Sequence, residues 1–287
     1  MIPIIKKEMR TYFNSMVGYI VLAGFVLFTG FYYALYCVRG LYPDYSIVLQ
    51  STSIVFLIVI PIITMRLFAE EMRQKTDQLL YTAPLKIEAI VFGKFLSAFL
   101  FFIIGMAITV LFPVIISFFG TLPAAQITGT FVGYILLGAA FISIGLFISV
   151  LTDNQIIAAF GTFGVLFLLF MIDGIKDLIP LDTVSSLIFV GVLILGFGFV
   201  VYDSTRSIFA GVIVAVCGLA VIAGMYMVNP LFFDGAMVRT IGWISLLARF
   251  NNFGMGILNV SDIVYYVTFA AAFIYLTINV IEKRRWR

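Results

Sequence analysis

Hydrophobic residues in this chain come in long uncharged runs, not in alternation with polar ones. The runs cover about 16–37, 51–69, 96–119, 128–151, 155–172, 184–202, 207–228 and 262–281. As a helix, each is long enough to cross a hydrocarbon core of ~30 Å. Backbone groups in lipid must be satisfied internally, which leaves helices or a closed barrel. The absence of a period-two pattern excludes the barrel. The pattern therefore predicts an all-α, polytopic membrane protein with about eight transmembrane helices in a single domain, 1–287. Pro61 and Pro113 fall inside predicted spans, where neighbours must re-satisfy the carbonyl each one frees.

The segments between the runs add detail. Residues 1–15 predict an amphipathic helix, with Ile2, Ile5, Met9 and Tyr12/Phe13 on one side and Lys6, Lys7 and Arg10 on the other. Such a helix lies in the membrane interface with its basic side toward anionic headgroups; an ordinary basic flank that sets topology reads the same way. The run that follows, to about Cys37, lacks a small-residue cleavage site and exceeds a signal h-region of roughly 7–15 residues, so it reads as a retained first span. Tyr32, Tyr33, Tyr36, Tyr42 and Tyr45 predict an interfacial aromatic belt. Gly129 and Gly133 form a GxxxG, which serves close helix packing or arises by chance among 24 glycines. Residues 229–261 are too polar for a span and too apolar for a free loop. They predict an amphipathic or re-entrant helix at the outer leaflet, either near an exit or as a cap.

Composition sharpens this picture. The chain is 63% hydrophobic with a mean hydropathy of +1.18, against about 45–50% apolar residues in soluble domains. With eight spans both termini share a side. That side holds Lys6, Lys7, Arg10, Arg66, Arg73, Lys75, Lys86, Lys94, Arg206, Lys283, Arg284, Arg285 and Arg287; the other holds Arg39, Lys176, Arg239 and Arg249. The positive-inside rule then places both termini in the cytoplasm and the protein in the cell membrane. The net charge of +3 reflects topology and gives no warrant for nucleic-acid binding. Cys37 and Cys217 read as small buried hydrophobes.

Chemistry inside the spans is sparse. There is no histidine, and Arg66, Lys94, Asp173 and Asp203 fall at predicted span ends. No proton or ion relay can be assembled from these groups, nor a metal or hydrolytic site. Gly93-Lys94 superficially matches the end of a P-loop, but Glu88 replaces its first glycine and Phe95 its Ser/Thr. The chain is expected to be no enzyme and to hold no cofactor or metal, so driving energy must come from outside the bilayer.

The longest polar stretch between runs is 70–86, in a chain only 11% charged. Glu70 to Tyr81 predicts a short helix with Met72, Leu79 and Leu80 as apolar anchors among charged residues. Thr76 and Asp77 are placed to cap, and Pro84 to stop the helix. Read alone, this is either a docking knob or a solvated loop. Residues 66–85, followed by Ile90-Val91-Phe92-Gly93-Lys94-Phe95, resemble the cytoplasmic loop of type-2 ABC exporter permeases. The run Ser245–Phe250, Gly256–Leu258, Ser261–Tyr266 and the closing Glu282–Trp286 is similar to the gliding-motility-associated branch of that family. The family core has six spans, and spans 6 and 7 would be an extra pair.

That resemblance implies a transmembrane subunit whose coupling segment sits in a cleft of a separate ABC ATPase, which binds the ATP. Glu70, Glu71, Arg73, Thr76, Asp77, Leu79, Leu80 and Pro84 are the residues expected to meet it. It also implies a second permease chain, identical or related, and export across the cytoplasmic membrane. The gliding branch implies an auxiliary membrane protein and an alternative function: a membrane anchor that transmits force or signal to an outer partner without moving a substrate.

Overall fold

A computed structural model describes residues 1–40, 44–76, 86–118, 122–176, 185–192 and 245–285, with isolated positions between 193 and 244. The described elements are helical. Helix α1 (Ile2–Asn14) is followed by α2 (Met16–Tyr33), which ends in a π-helical stretch, Ala34–Arg39. Then come α3 (Tyr45–Thr52), a 3₁₀ turn (Ser53–Val55), α4 (Phe56–Thr64) and α5 (Ala69–Arg73). Helix α6 (Ile87–Thr109) continues into α7 (Leu111–Ser117) and is followed by α8 (Ala124–Leu151) and α9 (Gln155–Lys176). Helices α10 (Leu246–Gly254) and α11 (Val260–Arg285) close the chain.

Six helical stretches among the described residues are long and apolar enough to cross a membrane: Met16–Arg39, Tyr45–Arg73, Ile87–Ser117, Ala124–Leu151, Gln155–Gly174 and Val260–Arg285. They correspond to predicted spans 1–5 and 8. Predicted span 6 is described in part, with 185–192 helical, and most of predicted span 7 lies outside the described residues. The chain forms two compact units, Met1–Leu169 with Leu246–Arg287, and Phe170–Ser245. In the first unit, α8 is the central helix and packs against α3, α4, α6, α10 and α11. Its interior face is aromatic and small: the Tyr134 ring lies 4.4 Å from that of Phe56 and 5.9 Å from that of Phe250. Outer helices turn large apolar side chains away from the protein, such as Leu27 on α2 and Phe160 on α9, as a lipid-facing surface requires.

Two sequence expectations change. Span 2 starts at Tyr45, not near 51, because the Asp44 carboxylate accepts from Ser46 N at 2.8 Å and caps the helix. Tyr45 therefore leaves the expected aromatic belt; it is fully buried and stacks 5.8 Å from the Phe131 ring. Its hydroxyl donates to Thr109 O at 3.2 Å. That carbonyl is four residues before Pro113, so Tyr45 supplies the hydrogen bond that the proline cannot. Tyr42 lies outside the described residues.

The GxxxG pair works within the chain. A Cβ on Gly133 would lie 2.6 Å from Phe253 Cβ, and one on Gly129 3.4 Å from Phe253 O. The two glycines seat α10 on α8. The carbonyls at the end of α10 are met by α8 side chains: Gln126 Nε2 donates to Gly254 O at 2.9 Å and Thr130 Oγ1 to Phe253 O at 3.3 Å. Of the predicted outer segment 229–261, α10 is thus an inward-packed helix with Phe250 and Phe253 buried. Most of 229–244 lies outside the described residues.

Candidate functional site

Lys94 is the eighth residue of α6 and only 1% exposed. The sequence places it outside span 3, yet the helix begins at Ile87 and carries it into the protein. A buried ammonium is expensive unless paired and hydrogen-bonded, and here it is both. Nζ donates to Glu8 Oε1 of α1 at 2.8 Å and to Leu67 O. Glu71 Oε2 of α5 lies 2.9 Å away in an ionic contact, and the Phe68 ring centroid 5.0 Å away. The other Glu71 oxygen accepts from Lys7 Nζ at 2.7 Å. One lysine and two carboxylates thereby join α1, α5, α6 and the turn between α4 and α5. Burial works against the Lys7 ammonium, but the hydrogen bond to Glu71 and the charges of Glu71, Glu8 and Glu70 outweigh it and raise its pKa. A cavity of about 300 Å³ beside the cluster is lined by Lys7, Glu8, Glu70, Glu71, Thr76 and Lys94, among others.

The backbone around the cluster explains how it is held. A Cβ on Gly93 would sit 3.1 Å from Ile4 Cγ2, so glycine lets α1 approach α6. Ile4 and Tyr12 are the buried residues of α1, and the Glu8 side chain is 12% exposed; of the expected apolar face, Tyr12 is buried, Ile5, Met9 and Phe13 are half-buried, and Ile2 is 79% exposed. Lys94 gives Glu8 a reason to face inward and so sets the rotation of the helix. Tyr12 fixes that rotation, stacking 4.6 Å from the Phe101 ring and donating to Ile63 O at 2.8 Å.

Between α4 and α5 the helix breaks at 65–68, and Ser149 of α8 satisfies the break. Its Oγ accepts from Phe68 N at 3.1 Å and from Ala69 N at 3.2 Å. Arg66 Nε donates to Glu70 Oε2 at 2.8 Å, and its Nη1 to Ser15 Oγ at 3.1 Å.

Helix α5 is much shorter than the predicted Glu70–Tyr81 helix. It ends at Arg73 in a Schellman arrangement: Thr76 N donates to Glu71 O at 3.0 Å and Lys75 N to Met72 O at 3.1 Å. Lys75 takes the left-handed position, φ +56°, where glycine is usual. Thr76 therefore acts in capping, as its position suggests.

The expected docking residues separate into groups. Arg73 and Thr76 are exposed, with Gln74 and Lys75, on the outer end of α5. Glu70 is half-buried and paired with Arg66. Glu71 is buried in the cluster, where two ammonium groups neutralise it. Asp77, Leu79, Leu80 and Pro84 lie outside the described residues. Lys6, Lys7 and Arg10 are all exposed on α1. Among the described residues, no group of three or more His, Cys, Asp or Glu side chains is placed to hold a metal.

Residues 41–180 match the family model described as ABC-2 family transporter protein. Over that stretch, a little under half of the chain, the sequence is similar to ABC-2 transporters. The match runs from α3 through α9 and so includes Glu71, Lys94 and Ser149, but neither α1 nor the C-terminal helices. It does not single out the gliding-motility branch, whose quoted residues at 245–286 lie beyond it. No curated protein matches the chain.

Sequence reasoning missed Glu8 and Ser149 and undervalued Lys94. The signal for the pair was present: a lone lysine interrupting an apolar run, and a glutamate four residues from both Ile4 and Tyr12, on the same face of a helix.

Proposed function

We propose that this chain is the membrane subunit of an ATP-driven exporter of the ABC-2 type, with ATP bound and hydrolysed on a separate subunit. The similarity of residues 41–180 to ABC-2 transporters and the six membrane-crossing helices support the class. One structural observation carries the coupling. Helix α5 has an exposed polar outer end, while Glu71 on its inner side is ion-paired to Lys94 of α6 and Lys7 of α1. A push on the segment beyond Thr76 is thus delivered to two further helices through buried charge.

In this reading the segment 70–86 is cytoplasmic, as are both termini by the positive-inside count, and it docks with the ATPase. Leu79 and Leu80 are the apolar anchors and Arg73, Thr76 and Asp77 the polar rim. Helix α1 lies in the membrane interface. A second permease chain completes the pathway, and Gly129 and Gly133, occupied by Phe253, are not its interface.

The test is to co-express the tagged chain with an ABC-type ATPase subunit from the same organism and purify the complex. Leu79→Asp/Leu80→Asp is expected to abolish co-purification and ATP-dependent export while the chain still inserts. Undiminished co-purification by an inserted variant counts against docking through this segment.

A further inference from the structure

A second, larger groove adjoins the first and shares Lys7, Thr11 and Arg66 with it. It measures about 740 Å³ and is lined by Pro3, Lys6, Lys7, Arg10, Thr11, Asn14, Ser15 and Arg66. Four of these are cations and none is a carboxylate. Lys7 and Arg66 each have a carboxylate partner behind the groove wall, Glu71 and Glu70. Lys6 and Arg10 form no ion pair among the described residues, so the groove keeps about two uncompensated positive charges. Arg66 comes from the turn between α4 and α5, so the groove is built from two elements and is not merely the polar face of one helix.

The groove is continuous in sequence with apolar surface. Asn14 and Ser15 line it, and the chain then runs into α2, where Met16 is 79% exposed and Tyr19 and Ile20 are each 57% exposed. A positively charged concavity next to apolar side chains fits a molecule with an anionic head and a hydrocarbon tail. A free anion would gain nothing from the apolar part.

We infer that this groove binds the phosphate-bearing headgroup of an anionic phospholipid, with Lys6 and Arg10 as its principal contacts and Arg66 closing one side. Arginine offers planar paired donors to phosphate oxygens. This rests on α1 lying in the interface and deepens that part of the reading; it does not depend on the ATPase. Headgroup binding at this point would set the rotation of α1, and with it the placement of Glu8 against Lys94.

The experiment uses the full chain in vesicles of phosphatidylcholine and phosphatidylglycerol in equal parts, with spin-labelled versions of each lipid as probes. Wild-type protein is expected to retain the anionic probe preferentially. In Lys6→Gln/Arg10→Gln the preference is expected to fall by roughly five-fold for each cation removed, with thermal stability unchanged; Lys6→Arg/Arg10→Lys should keep it. An unchanged preference in the Gln variant overturns the inference. So does saturable binding of inorganic phosphate by the detergent-solubilised chain that competes with the anionic probe, since the site would then take a soluble anion. A polarity-sensitive dye at Ile2→Cys, in a Cys37→Ser/Cys217→Ser background, separates the two levels. A dye in water overturns the interfacial placement as well, whereas a dye in lipid with no headgroup preference overturns the site alone.

Discussion

The two ends of α8 hold their neighbours by different physics. Gly133 and Ser149 are sixteen residues apart, or roughly 24 Å along the axis. Near Gly133 the grip is shape: bare backbone receives Phe253, with Tyr134 against Phe250. An ion pair lies behind it, Arg249 Nη1 to Asp262 Oδ1 at 2.8 Å. Near Ser149 the grip is directional. A hydroxyl closes the α4–α5 break, and beside it one buried lysine gathers two carboxylates and a carbonyl. Shape contacts hold two elements at one separation. The lysine ties α1, α5 and the turn between α4 and α5 to α6, and all three lose that shared partner if it is removed. A chain that receives force at one end and must remain closed at the other would use the two devices in this arrangement.

The largest effect should come from Lys94→Met. It leaves Glu8 uncompensated and Glu71 dependent on the exposed Lys7. Removing one partner of a buried pair costs about 3–5 kcal/mol, read by denaturant titration of the solubilised chain. Glu8→Leu/Glu71→Leu/Lys94→Met removes the three buried charges together and should recover much of that stability; under the proposed function it should also uncouple export from ATP hydrolysis. If the single variant costs no more than a surface substitution, the cluster does not hold this end together.

Gly133→Ala comes next. The added Cβ would lie 2.6 Å from Phe253 Cβ, close to the backbone of α10, so no side-chain rotation relieves it. Overpacking of this kind costs about 1–3 kcal/mol. The loss should appear as exposure of α10 to labelling or proteolysis, with the α5 end undisturbed. A variant that folds normally but disrupts association of two permease chains would return the glycine pair to the dimer interface.

This contrast also shows what the sequence could reveal. Apolar run length located the described spans, because membrane thickness sets a length that any helix must meet. Span ends were harder, since Asp44 and Lys86 begin helices that composition alone treats as flanks. The glycine pair was visible, but its occupant lies more than a hundred residues away at Phe253, and no local pattern carries that distance. The charged segment 70–86 was legible as polar, yet charge alone does not tell a residue turned to solvent from one turned inward. Arg73 and Glu71 are two positions apart and face opposite environments. What separates them is Lys94, a residue on another helix.

The smallest effect should belong to Lys7, and it isolates the role of burial. Lys7 and Lys94 bind the two oxygens of the same carboxylate, at 2.7 and 2.9 Å, but the Lys7 side chain is 61% exposed and that of Lys94 1%. Distance is nearly equal, so any difference in cost reports the surroundings. An exposed pair is screened by water and contributes at most about 1 kcal/mol, so Lys7→Met should cost no more than about a third of what Lys94→Met costs. The pH dependence has a definite sign. The pKa of Lys7 is raised above its ordinary 10.5 in the folded chain, so its contribution is complete below 10.5 and lost as pH rises through the higher folded value. The stability difference between wild type and Lys7→Met should therefore be flat through neutral pH and close only in strong alkali. If Lys7→Met proves as costly as Lys94→Met, Glu71 depends on the outer lysine, and the tie between α5 and α1 outranks the one to α6.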